Sequence, residues 1–378
     1  MAVLSEEQTI LRDSAREWVK DKAPVQALRK LRDSGAALGY DPALYAEMAA
    51  MGWAGIVVPE AYGGSEFGYL SLGLVLEETG RTLVASPLVS SALGAASALM
   101  LGGTAAQKEA WLPKIASGEA VATLAIEEGP RHEPLNTALA ASRAGQGFTL
   151  TGVKSFVPDG MAADVFIVAA RSSGKPGEAA GISLFLVPAG AKGVTRTALK
   201  LMDSRGAAAV AFDGVTVGAD AVIGTPDKGF EVLEPALDRV RAGLAAEMLG
   251  TALQAFETTI DYLKVRVQFG QTLGSFQALQ HRAAKMFTEL ELTRSCVEAA
   301  LTAIDTGAND IRELASLAKA RANETLHLIS NEMVQMHGGI GMTDAHDAGL
   351  YLKRARAAEA AYGNAAYHRE RFGRLHGF

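Results

Sequence analysis

Apolar residues change their spacing twice along this chain. Through about residue 119 they recur at helical spacing, as in the segments 42–51 and 70–79, and Ser5 has the character of a helix start. From there to about residue 224 they form short runs or alternate with polar residues, and a helical period then returns. A helical period indicates amphipathic helices, whereas alternation and short apolar runs indicate strands. The predicted order is helices, strands, helices.

The middle region contains the candidate strands. They lie at 121–126, 148–153, 165–170, 182–187 and 210–217. Glycine and proline bound several of these runs, and the stretch 172–180 is typical of a hairpin loop. Several short strands separated by turns predict a compact β domain.

The last region has the longest helical pattern. Its first helix carries an apolar stripe at helical spacing, formed by Leu233, Leu237, Val240, Leu244 and Met248. Further helices are predicted at about 276–301 and 310–336, and a fourth from about residue 348. Four such helices favour a bundle. We therefore predict an α+β multidomain fold, with an N-terminal helical domain (1–119), a middle β-barrel-like domain (120–224) and a C-terminal four-helix bundle (225–378).

Composition narrows the classes of function. The 378 residues include 36 basic and 42 acidic side chains, a net charge of -6 that gives no reason to expect a nucleic-acid partner. A single cysteine, Cys296, excludes an internal disulfide and fits a reducing compartment. The apolar runs are too short for a membrane span, and the acidic N-terminus is unlike a signal peptide. We predict a cytoplasmic protein with no membrane partner, and the seven histidines show no metal-binding spacing.

Local motifs in a fixed order carry a family resemblance. They lie at 59–64, 77–81, 211–217, 266–277 and 335–341. None is specific alone, but their order and spacing over nearly the whole chain resemble the acyl-CoA dehydrogenase family. That family has the same order of helical, β and helical domains. The resemblance implies an FAD-dependent oxidoreductase that desaturates an acyl-CoA thioester.

The resemblance also implies which residues contact FAD. In the family, the residues that match Arg266 and the Gln335-x-x-Gly338-Gly339 motif reach the FAD of a neighbouring subunit. Phe269 and Gln277 belong to the same cofactor-binding segments. A planar guanidinium suits a pyrophosphate, and glycine lets the backbone approach a large cofactor closely. The alternative from the residues alone is a glycine-capped helix and a solvated arginine.

The usual catalytic base is missing. The family transfers a β hydride to flavin and an α proton to a carboxylate, whose two known positions match Tyr362 and Val240 here. Neither side chain is a carboxylate. Glu247, on the same helix face as Val240, is a candidate base, with pairing to a basic neighbour as its alternative. Arg241 matches the family arginine beside the second position and is a candidate substrate-binding residue.

The segment that would face this chain's own flavin also departs from the family. Glu127 stands where a threonine usually contacts the ring, and Pro158 replaces a hydroxyl donor. Groups that would serve a neighbour's flavin are retained. This one-sided loss resembles the accessory subunit of heteromeric acyl-CoA dehydrogenases, such as those of bacterial steroid side-chain degradation.

Three hypotheses follow from this pattern. The first is a subunit that completes the FAD site of a heteromeric enzyme acting in fatty acid or steroid degradation. The second is a homomeric flavoenzyme with a non-standard base, and the third is a non-catalytic family scaffold. The implied partners are an acyl-CoA substrate, electron-transfer flavoprotein as acceptor, and either a second copy in a homodimer or a second family subunit in a heterotetramer.

Overall fold

A computed structural model of the protein describes residues 4–378, which divide into two compact units. The helical unit comprises the described residues up to Arg29 together with Tyr69–Val84 and Arg241–Phe378. The sheet unit comprises Lys30–Gly68 and Ala85–Val240. No helix within residues 4–378 is long and apolar enough to cross a membrane.

Helices dominate both ends of the described chain. In chain order they are α1 (Glu6–Asp21), α2 (Val25–Ser34), α3 (Pro42–Ala50), α4 (Tyr69–Arg81), α5 (Ala96–Gly102), α6 (Ala105–Ala116), α7 (Phe230–Val265), α8 (Gln277–Thr306), α9 (Ile311–His337), α10 (Ala348–Ala360) and α11 (Ala365–Leu375), with a π-helix at Leu88–Ala95. Ser5 and Gln8 form a capping box that fixes the start of α1. The predicted helical bundle is confirmed, and α11 is a helix that the sequence pattern did not reveal.

The middle of the chain forms an eight-stranded mixed sheet. Its strands are β1 (Ala122–Ala125), β2 (Ala140–Ala144), β3 (Gly147–Pro158), β4 (Val165–Arg171), β5 (Ile182–Pro188), β6 (Val194–Ala198), β7 (Ala207–Val217) and β8 (Val222–Ile223). The order is β6-β7-β3-β2-β4-β5-β8, and β1 pairs with β4. Strands β4 and β5 pair antiparallel across the predicted hairpin loop.

The sheet curves around one apolar core. Phe148 on β3 contacts Phe185 on β5 with ring centroids 4.9 Å apart, although two strands separate them in the sheet order. Phe166 on β4 and Phe212 on β7 make a similar contact at 6.3 Å. Residues from distant strands therefore share one interior, as the β-barrel-like prediction requires.

Two glycines let α4 and α7 touch through their backbones in the helical unit. A Cβ atom on Gly80 would lie 2.1 Å from the carbonyl oxygen of Glu247, and one on Gly250 would lie 1.7 Å from that of Glu77. Thr251 adds a hydrogen bond from its hydroxyl to the Gly80 carbonyl at 3.0 Å. No other residue type fits at these two positions without moving a helix.

Gly250→Ala should therefore destabilise the protein by about 1–3 kcal/mol or more, because its methyl group overlaps a main-chain atom of α4. The measurement is urea unfolding. Gly349→Ala is the matched control, since a Cβ there meets nothing within 4 Å on α10, and alanine gains up to about 1 kcal/mol in a helix. Equal effects of the two substitutions would contradict the close backbone contact.

Candidate functional site

The turn between α10 and α11 carries Tyr362, the first predicted base position. Tyr362 has a left-handed backbone (φ +55°), as does Gly363 (φ +107°). Tyr362 is only 9% exposed, and its carbonyl oxygen lies 3.1 Å from Nε2 of His368. Asn364 then caps α11, accepting the amide hydrogen of Tyr367 at 2.9 Å. The turn thus holds residue 362 inside the helical unit in a conformation that most side chains disfavour.

The buried amino group of Lys319 stabilises the same turn through hydrogen bonds. Lys319 on α9 is fully buried and donates from Nζ to the Asn323 side chain (2.6 Å), the Ala358 carbonyl (3.0 Å) and the Gly363 carbonyl (3.2 Å). Asn323 also donates to the Gly363 carbonyl at 3.3 Å. Burial lowers the pKa of Lys319 to about 7, partly offset by Glu359. Three acceptors around one ammonium join α9, α10 and the turn.

Two further candidates lie on α7 within the helical unit. Arg241 is fully buried, and its guanidinium reaches the Tyr367 hydroxyl at 3.2 Å and lies 5.7 Å from that ring's centre. Glu247 is 3% exposed and accepts hydrogen bonds from Arg354 at 2.9 and 3.2 Å. The pairing of Glu247 with a basic neighbour, the alternative given above, is thus present. A carboxylate in a buried arginine pair is held in its charged form by that partner.

The residues predicted to contact FAD lie at the surface. Arg266 lies between α7 and a β-hairpin formed by β9 (Val267–Gln268) and β10 (Gln271–Thr272). Phe269 at the hairpin tip is 90% exposed and has φ +54°. Its ring packs edge-on against Phe276, which immediately precedes Gln277 on α8. The hairpin and the start of α8 therefore form one exposed structure.

The second predicted FAD segment lies at the same end of the helical unit. Gln335, Gly338 and Gly339 are exposed at the end of α9. Tyr262, one turn before Arg266 on α7, stacks on His337 with ring centroids 4.3 Å apart. The structure therefore brings the two segments together, although no sequence pattern predicted their proximity.

This surface has groups that fit a flavin dinucleotide. The Arg266 guanidinium makes no hydrogen bond or ion pair within residues 4–378, so its donors are open to a phosphate. A Cβ on Gly338 or Gly339 would meet nothing within 4 Å, so a large planar group can approach the backbone there. The apolar side chains of Val265 and Val267 are also exposed beside them, at 74% and 53%.

The residues of the sheet unit that differ from the family pattern lie around the end of β1. Glu127 forms an isolated bridge with Phe156 on β3, and its carboxylate lies 2.5 Å from Nδ1 of His132. The Pro158 carbonyl, further along β3, accepts from the Thr123 hydroxyl at 2.8 Å. The Glu127–His132 pair was missed by sequence analysis, because the loop between the two residues gives no periodic signal for their contact.

The next residue, Glu128, holds the same loop through contacts of its carboxylate. It lies 2.6 Å from the fully buried Lys154 ammonium and accepts the backbone amides of Ala138 and Leu139 at 2.9 and 3.0 Å. Burial lowers the pKa of Lys154, and Glu128 opposes that effect. The described residues contain no cluster of three or more side chains able to hold a metal ion.

Comparison with known proteins defines the class. Family models for the N-terminal, middle and C-terminal domains of acyl-CoA dehydrogenases match residues 5–119, 127–215 and 227–375. The chain therefore belongs to the acyl-CoA dehydrogenase family. The predicted fold, oxidoreductase class and FAD dependence are confirmed at the level of this family.

Individual relatives cover nearly the whole chain. Mitochondrial isovaleryl-CoA dehydrogenase of Pongo abelii is 32% identical over 389 aligned positions, covering 98% of this chain and 89% of that protein. The Tcur3481-Tcur3483 steroid acyl-CoA dehydrogenase is 33% identical with a TM-score of 0.88, over 98% of this chain and 97% of that one. The ChsE4-ChsE5 complex of Mycobacterium tuberculosis is 26% identical with a TM-score of 0.89, over the full length of both chains.

Lys319→Met should destabilise the fold by about 2–4 kcal/mol, because buried acceptors lose their donor. The folded pKa of about 7 lies below the unfolded value of roughly 10.4, so the folded state holds fewer protons between these values. Wild-type stability should therefore rise relative to the variant from pH 7 to 9, by up to about 1.4 kcal/mol per pH unit.

Denaturant unfolding at several pH values measures this difference. Lys264→Met is the control, since the Lys264 side chain is 66% exposed. A wild-type-minus-variant difference that stays constant from pH 7 to 9 would show that Lys319 keeps its charge throughout.

Proposed function

We propose that this chain is the FAD-site-completing subunit of a heteromeric acyl-CoA dehydrogenase. The observation that carries the proposal is the contrast between its two sets of site residues. Tyr362 and Val240, at the usual base positions, are buried side chains without a carboxylate. The cofactor-contacting set around Arg266 is exposed and open to a neighbour. Such a chain can hold a partner's cofactor without abstracting a proton itself.

Each retained residue has a defined task toward FAD. The Arg266 guanidinium would bind the pyrophosphate, and the Gly338–Gly339 backbone would pack against the cofactor. Phe269, Gln277 and Gln335 would complete the contact surface. FAD, when bound, supplies the hydride acceptor for desaturation. The protein contribution is binding and orientation, while the base comes from the partner subunit.

Two relatives support a second subunit of the same family. Both have names that join two components, ChsE4-ChsE5 and Tcur3481-Tcur3483, and the latter is named a steroid enzyme. We infer a heterotetramer in the cytoplasm, a bulky acyl-CoA such as a steroid thioester as substrate, and electron-transfer flavoprotein as the acceptor. The homomeric alternative would rely on Glu247, whose carboxylate is already engaged by Arg354.

Arg266→Ala should lower FAD affinity of the assembled enzyme by roughly tenfold or more. A charge-assisted contact contributes about 1.5–3 kcal/mol, and each 1.4 kcal/mol is tenfold in affinity. Flavin absorbance after dialysis against increasing buffer volumes measures the loss. Arg374→Ala is the control, because the Arg374 side chain is 70% exposed on α11. Equal flavin content in both variants would remove Arg266 from the cofactor site.

The purified chain alone, supplied with FAD, should not desaturate acyl-CoA thioesters. A positioned base contributes roughly two to four orders of magnitude to the rate, and neither usual position offers one. Flavin binding only after co-expression with a second family subunit supports the heteromer, whereas full flavin occupancy and turnover alone would establish the homomeric enzyme. Absence of flavin with every partner would favour the scaffold.

The Tyr362→Glu variant tests whether the missing carboxylate is the only change that prevents dehydrogenation by this chain. We expect no gain of activity, because Glu127 and Pro158 alter the segment that would face this chain's own flavin. Restored dehydrogenation, assayed by dye reduction, would show instead that only the base was missing. Tyr362→Gln is the control for the change in shape.

A further inference from the structure

His337 ends α9 with one ring nitrogen bonded and the other without a partner. The residue is 3% exposed, and Nδ1 lies 2.7 Å from the Met333 carbonyl oxygen. Because a carbonyl oxygen only accepts, Nδ1 carries the ring proton. Nε2 is buried and has no hydrogen-bond partner within residues 4–378. The surroundings therefore suit a neutral imidazole with its lone pair on Nε2.

His346 stacks on His337 and is held in the other neutral tautomer. The two ring centroids are 4.2 Å apart and the planes are inclined by 41°. Nδ1 of His346 accepts the backbone N–H of Ala348 at 3.1 Å, at the start of α10. This nitrogen must be unprotonated, because the backbone group is the donor. The Met333 contact thus fixes which nitrogen of His337 carries its proton, and the Ala348 contact requires a lone pair on Nδ1 of His346.

An added proton is unfavourable on the His337 ring. On His337 it would create a buried N–H without an acceptor, beside a second imidazole. Burial lowers the pKa of His337, and His346 lowers it further against the opposing Met333 hydrogen bond.

The other elements around the pair contribute one aromatic hydroxyl and one ion-pair network. From α7, Tyr262 stacks on His337, and its hydroxyl lies 3.4 Å from the His337 carbonyl. From α2, Arg29 pairs with Asp344 at 3.1 Å and with Asp347 at 2.7 Å, on either side of His346. These two carboxylates are engaged by a guanidinium and anchor the ends of the turn. The stacked rings lie between α7 and that anchored turn.

We propose that His337 and His346 form a proton-sensitive latch on residues 338–347. The latch is closed while the His337 imidazole is neutral and opens when His337 gains a proton, since its stack on His346 is then lost. The turn carries Gly338 and Gly339, so acidification should release the segment that contacts FAD. This last consequence rests on the proposed function, whereas the latch itself does not.

Asparagine at both positions tests the latch while keeping its hydrogen bonds. In His337→Asn the amide nitrogen can replace Nδ1–H as donor to Met333, and in His346→Asn the amide oxygen can cap Ala348. Neither asparagine titrates. The control is His376→Gln, an exposed histidine that stacks on Phe372 at 4.5 Å.

The pH dependence of unfolding is the first measurement. The folded state binds its proton less readily than the unfolded chain, whose histidines titrate near about 6.5. As pH falls below that value, the wild-type folding constant should drop relative to the double variant, by up to about tenfold per pH unit. The His376→Gln protein should follow the wild type. Parallel curves for the wild type and the double variant would overturn the latch.

Two readouts on the wild type cover the case of a double variant that does not fold. Nitrogen NMR of the imidazoles at pH 7 should show Nδ1–H for His337 and Nε2–H for His346, and an imidazolium at His337 at pH 6.5 would overturn the latch. Hydrogen exchange, corrected for its intrinsic pH dependence, should increase selectively in peptides covering 338–347 between pH 7 and 5.5. Unchanged protection there would equally overturn it.

Flavin retention separates this inference from the proposed function. In the assembled enzyme, wild type should lose FAD on moving from pH 7.5 to 5.5, while the double asparagine variant should keep it. Flavin held equally at both pH values by both proteins would overturn the cofactor consequence of the latch. Absence of flavin from every assembly at pH 7.5 would instead refute the proposed function, and the unfolding and exchange measurements would still decide the latch.

Discussion

The arrangement around the candidate site depends on one buried amino group. Lys319 is fully buried, so its amino group must be hydrogen-bonded to protein oxygens. Those oxygens come from α9 itself, from the last turn of α10 and from Gly363. The hydrogen bonds of this one group therefore tie the end of α10 to the turn that precedes α11. Tyr362 inherits its left-handed backbone and its buried position from that turn, whatever side chain it carries.

The turn at residue 362 is held independently of the side chain at that position, so the fold does not require a carboxylate there. The contacts that define the turn are made by the carbonyls of residues 358, 362 and 363, which are independent of side-chain identity at residue 362. The exposed surface around Arg266 is built separately, from a hairpin and a helix end. The side chain at residue 362 can therefore differ without disturbing that surface, and the chain remains a well-packed member of its family.

Sequence periodicity predicted helices and strands that bury an apolar face, and it missed elements that are mostly exposed. Strands β2 and β6 are mostly exposed, and α11 buries only His368, so none of them carries an apolar stripe. The two segments expected to contact FAD were identified from motifs, but they are brought together by the Tyr262–His337 contact, which no motif indicates. The contacts of Lys319 and of the Glu127–His132 pair could not be predicted, because a buried lysine cannot be distinguished from a solvated one in the sequence until its tertiary acceptors are known.

The hairpin that presents Phe269 has a consequence for the life of the chain before assembly. An aromatic ring that is 90% exposed, flanked by exposed valines, is adhesive toward any apolar surface, including another copy of itself. At high concentration, newly made chains can therefore associate through this hairpin before any other surface covers it. The covering of this ring thus becomes part of the folding problem, as much as the packing inside the chain.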